Sequence, residues 1–392
     1  MQSHPPGKPP KSDPETRFLQ KPGFLSAMQP SLIVDAHEDI AYNMLAFGRD
    51  YNRSAAETRQ IENASGSQAI NHNDQSVLGW PDYQRGRVAI VFSTLFATPL
   101  RRATGNWDTQ VYGDYDQAQR LYRAQLDTYR NLTDRAPDHF QFIATRTDLE
   151  SVLAGWSDSS RATHPVGLVP LMEGAEGVRN PSELEDWWQS GLHMIGPAWA
   201  GTRFCGGTRE PGPLTDDGRA LLEAMAELGF TLDLSHMDEL SARQSLDLYE
   251  GPIIASHANA AALLPGYDGN RLLPDDVIKG LIAHDAIIGV VPFCAFMKNG
   301  WKIGDKRDEI TLATLAAHVD YICQMAGDAR HVGLGSDFDG GFGLSAIPAG
   351  MDTIADLQAL GPILQAKGYH DEEVAAIFGE NWLRHLRTYL PA

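Results

Sequence analysis

The 392-residue sequence predicts an α/β fold of the (β/α)8, or TIM, barrel class. Three observations carry that expectation: eight apolar runs of strand length recur along the chain, helix-like segments separate them, and the length suits one barrel with insertions. The runs are short and apolar on both sides, as parallel strands covered by helices should be.

The first run is residues 31–36, and a stretch rich in Asn, Gln and Ser, 49–85, reads as a polar insertion over one barrel mouth. Runs two and three are 88–93 and 166–172; between them, 116–130 sets Ala118, Leu121, Tyr122 and Tyr129 near one helical face. Runs four and five, 192–196 and 230–235, enclose a helix at 216–228 that opens with acids before Leu221, Leu222, Met225 and Leu228. Runs six to eight are 252–256, 286–292 and 331–336. Extra C-terminal helices at 354–367, 371–378 and 380–388 are expected to close the outer layer. No repeat or linker divides the chain, so a single domain is expected over 29–392, after a flexible segment 1–28 rich in Pro and charge.

The 51 acidic against 32 basic side chains give a formal net charge of -19, the wrong sign for attraction to a nucleic-acid backbone. No apolar signal region or bilayer-length stretch is found, so no membrane partner is expected and the cytoplasm is the default location. Three widely spaced cysteines, Cys205, Cys294 and Cys323, fit neither a disulfide framework nor a cysteine zinc site.

His37 and Asp39 lie two apart where the first run should end, and the strand period of two turns both side chains to one side. The pair suits one divalent ion, yet about one His-x-Asp is expected by chance in such a chain, and a capping or core hydrogen-bond role is the plainer alternative. Other runs also end in a potential ligand. Glu173 follows the third, His236 the fifth and His257 the sixth, each at the carboxyl rim where barrel enzymes build their sites. The eighth leads into Gly335-Ser336-Asp337-Phe338-Asp339-Gly340, whose two aspartates spacing alone does not tell apart.

Taken in order, Asp35-Ala36-His37-Glu38-Asp39, Glu173-Gly174, Asp233-Leu234-Ser235-His236, Ser256-His257, Arg271 with Pro274-Asp275-Asp276, and the Gly335–Gly340 motif resemble those of the membrane (renal) dipeptidase family, peptidase family M19. The resemblance covers about residues 31–385, and the closing Gly379-Glu380-Asn381-Trp382-Leu383-Arg384 resembles the family's last helix. It implies a soluble, bacterial-type member of these amidohydrolase-like metal-dependent hydrolases, with two Zn2+ ions. His37 and Asp39 would bind one ion and His236 and His257 the other, bridged by Glu173 and a hydroxide. Imidazoles and carboxylates suit Zn(II), which lowers the pKa of a shared water towards neutrality.

The resemblance further assigns Asp337 as proton carrier and Arg271 as the partner of a small dipeptide's carboxylate, dipeptides with a carboxyl-terminal D-residue included. One departure stands out. Where members commonly have Leu-Thr-His after strand four, with the histidine on the substrate carbonyl, this chain has Gly196-Pro197-Ala198-Trp199, and Trp199 takes that substrate-binding place. An indole donates one hydrogen bond and stacks, but cannot become cationic. Two alternatives stay open: an N-acyl amino acid amidohydrolase on the same barrel, and an inactive metal-bearing binding homologue. A homodimer is also left open.

Overall fold

The computed structural model describes residues 31–392, so the segment 1–28 expected to be flexible lies outside the described residues. Eight parallel strands make the barrel: β1 (Ile33–Glu38), β2 (Val88–Phe96), β3 (Val166–Glu173), β4 (Met194–Gly196), β5 (Thr231–Asp233), β6 (Ile253–Ile254), β7 (Ile288–Val290) and β8 (Val332–Leu334). Each falls on one of the eight apolar runs. Their spatial order is β6-β5-β4-β3-β2-β1-β8-β7. The ring is nearly closed through Ala255, whose N–H donates to the Ile287 carbonyl at 2.9 Å and whose carbonyl accepts from Gly289 N–H at 2.8 Å. Tight closure needs two glycines here, because a Cβ on Gly289 or Gly335 would stand 1.9 Å from the Ser256 carbonyl oxygen.

The helix after β2 runs Tyr115–Arg135, longer than its apolar face alone predicts, and Asp114 caps it by accepting from Gln117 N–H at 2.8 Å. It buries Ala118, Tyr122, Leu126, Tyr129 and Leu132. Two of its tyrosines also fasten strand ends. Tyr122 OH donates to the Glu173 carbonyl at 2.8 Å, and Tyr129 OH donates to the Thr94 carbonyl at 2.7 Å while accepting from Ala41 N–H.

Residues 49–85 fold as three helices, Ala55–Ser65, Ala69–His72 and Trp80–Gly86. The connection between the last two is fastened by Asp339, which accepts from Ser76 Oγ at 2.7 Å and Val77 N–H at 3.1 Å, and the same carboxylate receives Tyr51 OH at 2.9 Å and Arg49 at 3.0 Å. The insertion is thereby held at the carboxyl rim, beside the turn that follows β8.

The last helices depart from the expected outer layer. Asp371–Ala375 and Asn381–Tyr389 are joined by a π turn, Ala376–Glu380. Asn381 donates to the Ala329 and Val332 carbonyls at the start of β8, and His385 pairs with Thr231 at the start of β5. A helix touching the beginnings of two strands three places apart crosses the barrel floor. Its Trp382, Leu383 and Leu386 pack in one cluster with Val34, Phe92, Val169, Leu171 and Ile254. The three cysteines are free and buried, and no helix of the described residues is long and apolar enough to cross a membrane.

Candidate active site

The strand ends bring the predicted side chains together at the carboxyl rim. Glu173 Oε1 lies 3.0 Å from His236 Nε2, 3.4 Å from His257 Nε2 and 3.7 Å from His37 Nε2. Asp337 Oδ1 is 3.9 Å from His37 Nε2. Two overlapping groups have ligand atoms within 4.8 Å of one another: His37, Glu173 and His257, and His37, Asp39 and Asp337. His37 belongs to both.

Three of the candidate ligands, Asp39, His236 and His257, are oriented by neighbours that the sequence reading left without a role. Thr94 near the carboxyl end of β2 donates its hydroxyl to Asp39. Ser256 Oγ lies 2.8 Å from His257 Nδ1, and Thr208 Oγ1 lies 2.9 Å from His236 Nδ1, so both rings turn Nε2 towards Glu173. Buried Asp233 accepts from the backbone of Ser235 and Ser256 and from the Ser256 hydroxyl, tying together the turns that carry His236 and His257. Asp35 does the same for the turn before Asp337, through Ser336 N–H and Oγ. A polar residue buried within an apolar run was the available signal for Asp35 and Asp233.

His236 and Asp337 sit at φ 66° and 58°, in the left-handed region that most residues avoid, and their turns are held by these side-chain bonds. Asp339, at φ 59°, belongs to the same strained turn but faces Arg49, Tyr51 and the insertion. The ambiguity between the two aspartates therefore has a geometric basis for resolution: Asp339 is engaged elsewhere, whereas Asp337 faces His37.

Electrostatically the cluster is short of positive charge. Burial pushes the imidazoles of His37, His236 and His257 well below their ordinary range, leaving neutral rings with lone pairs to offer. Burial, then the Asp39 charge, holds Glu173 and Asp337 well above the usual carboxylate range, and burial raises Asp39 to about 6. His37 Nε2 is buried without a hydrogen-bond partner. Unprotonated imidazoles, crowded carboxylates and an orphaned ring nitrogen together fit divalent cations.

Arg271 stands beside this cluster, 5% exposed, with Nη2 donating to the His257 carbonyl at 2.7 Å and its guanidinium 5.2 Å from the Phe296 ring. Its Nε and Nη1 are buried and have no partner. Trp199 is half-buried, its ring 6.3 Å from that of His236 and 5.0 Å from that of Phe96.

The model of the membrane dipeptidase family, peptidase family M19, matches residues 24–389. The chain belongs to this family. It is a metallo-dipeptidase, a hydrolase acting on peptide bonds. A dipeptidase of Clonostachys rogersoniana is 25% identical over 358 residues, 90% of this chain and 82% of that protein. An uncharacterised dipeptidase of Schizosaccharomyces pombe is 30% identical over 230 residues, 56% of this chain and 53% of that protein.

Two solved structures share the fold. The family M19 metallopeptidase named dipeptidase AC has a TM-score of 0.72 at 24% identity, covering 93% of this chain and 100% of that one. A Rhodobacter sphaeroides metallopeptidase, liganded with a phosphinate mimic of the dipeptide L-Ala-D-Ala, has a TM-score of 0.70 at 23% identity, covering 92% and 100%. As an M19 dipeptidase the chain calls for a metal cofactor, and the cluster around His37 and Glu173 is where its ligand atoms converge.

Of the remaining histidines, His193 bonds the Ala144 carbonyl and His331 the Ala286 carbonyl, both away from the cluster. Glu38, between two proposed ligands, bonds Tyr83 instead.

Proposed function

We propose that this dipeptidase is a two-zinc enzyme that cleaves small dipeptides, L-Xaa-D-Xaa included, with Arg271 reading the substrate carboxylate and Asp337 carrying the proton. Arg271 carries the reading: a buried guanidinium with two unpartnered N–H donors beside a metal-ligating cluster matches a carboxylate that arrives with the substrate. His37 and Asp39 would hold one ion, His236 and His257 the other, and Glu173 would bridge them. When bound, the ions supply Lewis acidity to the scissile carbonyl and lower the pKa of a water.

The chain's own residues do the rest. Arg271 fixes the carboxyl-terminal end and so sets the scissile carbonyl over the cluster. Asp337 takes the proton released as water attacks and returns it to the leaving amine nitrogen, which needs a carboxylate that is ionised before attack and protonated after it. Thr94, Ser256 and Thr208 hold their ligands in orientation throughout. Trp199 covers the His236 side of the site, where its indole offers a stacking face and one N–H donor to the amino-terminal residue. The likeness to a fold that accepts a mimic of L-Ala-D-Ala supports a D-residue at the carboxyl terminus.

The test is a panel of free dipeptides, of both configurations at the second residue, alongside N-acyl amino acids, assayed with zinc-loaded protein whose metal content is measured. The reading expects two zinc ions per chain and turnover of dipeptides. Hydrolysis of N-acyl amino acids alone would overturn it in favour of an acylase.

A further inference from the structure

Arg271 follows β6, and β2 lies on the opposite side of the eight-stranded ring. A cavity of about 950 Å3 opens on that opposite side, walled by the loops after β2, β3 and β4, among them Arg101, Tyr112, Glu176 and Arg203. A narrow gap lined by Tyr122, Gly174 and Trp199 adjoins it, sharing Pro99, Tyr112, Gly201 and Thr202 with its wall. Trp199 thus stands between the metal-ligating cluster and the cavity. A dipeptide with its carboxylate on Arg271 and its scissile carbonyl at the cluster directs its amino-terminal residue this way. The volume is at the upper end for small-molecule sites, far more than an alanyl group needs.

The charges in the cavity wall are unevenly matched. Glu210 pairs with both Arg101 and Arg102, at 2.8 Å and 2.7 Å. Arg203 donates Nη2 to the Val178 and Arg179 carbonyls and lies 4.4 Å from the Tyr115 ring and 4.5 Å from the Phe204 ring, its Nε buried without a partner. Glu176 is 4% exposed. One of its oxygens accepts from Arg203 N–H at 3.1 Å; the other, Oε2, is buried and has no partner. A buried carboxylate oxygen in that condition costs free energy until a donor reaches it.

We propose that this cavity receives the side chain of the substrate's amino-terminal residue and that Glu176 selects a long one ending in a cation, lysine or arginine. The assignment rests on the dipeptidase reading above. The gap beside Trp199 holds only about 10 Å3, so the half-buried indole turns aside for the methylenes of such a side chain, whose ammonium or guanidinium reaches Glu176 Oε2. Burial raises the Glu176 carboxyl above the ordinary range although the Arg203 N–H and the Arg203 and Arg101 charges pull it down, and an arriving cation further favours its ionised form.

The experiment compares kcat/KM for Lys-Ala, Arg-Ala, norleucyl-Ala, Glu-Ala and Ala-Ala in the metal-loaded enzyme and in Glu176→Gln. Lysine and norleucine differ in the terminal charge, and both are read on one preparation, so partial unfolding cancels in their ratio. The expected ratio is roughly ten-fold in favour of lysine in the parent enzyme, as a charge-assisted hydrogen bond gives, and it falls to parity in the variant. Equal rates in the parent, or a ratio that survives Glu176→Gln, overturns the assignment while Ala-Ala turnover leaves the dipeptidase reading standing. If no dipeptide is hydrolysed, that reading falls and takes this one with it.

Discussion

Asp337 and Asp339 share one turn, one backbone conformation and one spacing rule, yet their surroundings assign them different roles. Asp339 shares buried Arg49 with Glu62 and fastens the insertion, so Asp339→Asn should cost about 1–3 kcal/mol of stability, as leaving buried donors poorly matched does. Urea denaturation reads this, and a change under 1 kcal/mol, roughly the size of a surface pair, would contradict it. Asp337→Asn should instead lower kcat by about 10²–10⁴-fold with metal content retained, the range for losing a general acid–base group. Unchanged turnover would remove Asp337 from proton transfer. For the orienting side chains, Thr94→Val should weaken metal binding by about 10–100-fold in a chelator competition, and an unaltered affinity would show that Asp39 needs no support. The candidate ligands were legible because each follows an apolar run. Thr94 also follows its run but was not, since a threonine hydroxyl is no ligand type of its own, and Thr208 was not, since it lies between two short hairpin strands that carry no alternation of their own.

At the scale of elements, the eight strands were readable because both faces are covered, which makes each a compact apolar run. The three-residue strand Phe140–Phe142 was missed for the opposite reason. It pairs with the first half of β3 while β4 pairs with the second half, and three residues are too few to show a period. The floor helix was placed in the outer layer because an amphipathic pattern gives no direction in space. Its π turn lets Gly379 approach β1, where an added Cβ would stand 2.9 Å from the Leu32 carbonyl oxygen. Gly379→Ala should therefore destabilise by about 1–3 kcal/mol, the usual cost of overpacking, with KM and kcat of the folded enzyme unaltered. A variant as stable as its parent would mean that β1 and the turn separate without strain.

Across the whole molecule, buried neutral histidines outside the site tie stability to pH. Burial lowers His193 and His318 to about 4 and His385 to about 3, from an ordinary 6.5. Between those values the unfolded chain binds protons that the folded one does not, so stability is complete above 6.5 and is lost as pH falls below it. Each group contributes about 1.4 kcal/mol per pH unit within its window. Chemical denaturation from pH 7 to pH 5 should show that decline, and His385→Gln should make it shallower; a flat profile would mean that these rings are already charged in the fold. The fold as a whole was legible from apolar spacing and length, but the cavity beside Trp199 was not, because three loops distant in sequence build it.

The dipeptidase reading turns on Arg271 and a free carboxylate, so the decisive comparison is kcat/KM for one dipeptide and for its carboxyl-terminal amide on the same metal-loaded preparation. Turnover of the acid with a loss of about 10²-fold or more for the amide is expected, because the amide leaves a buried guanidinium unmatched. Equal rates for acid and amide would contradict it.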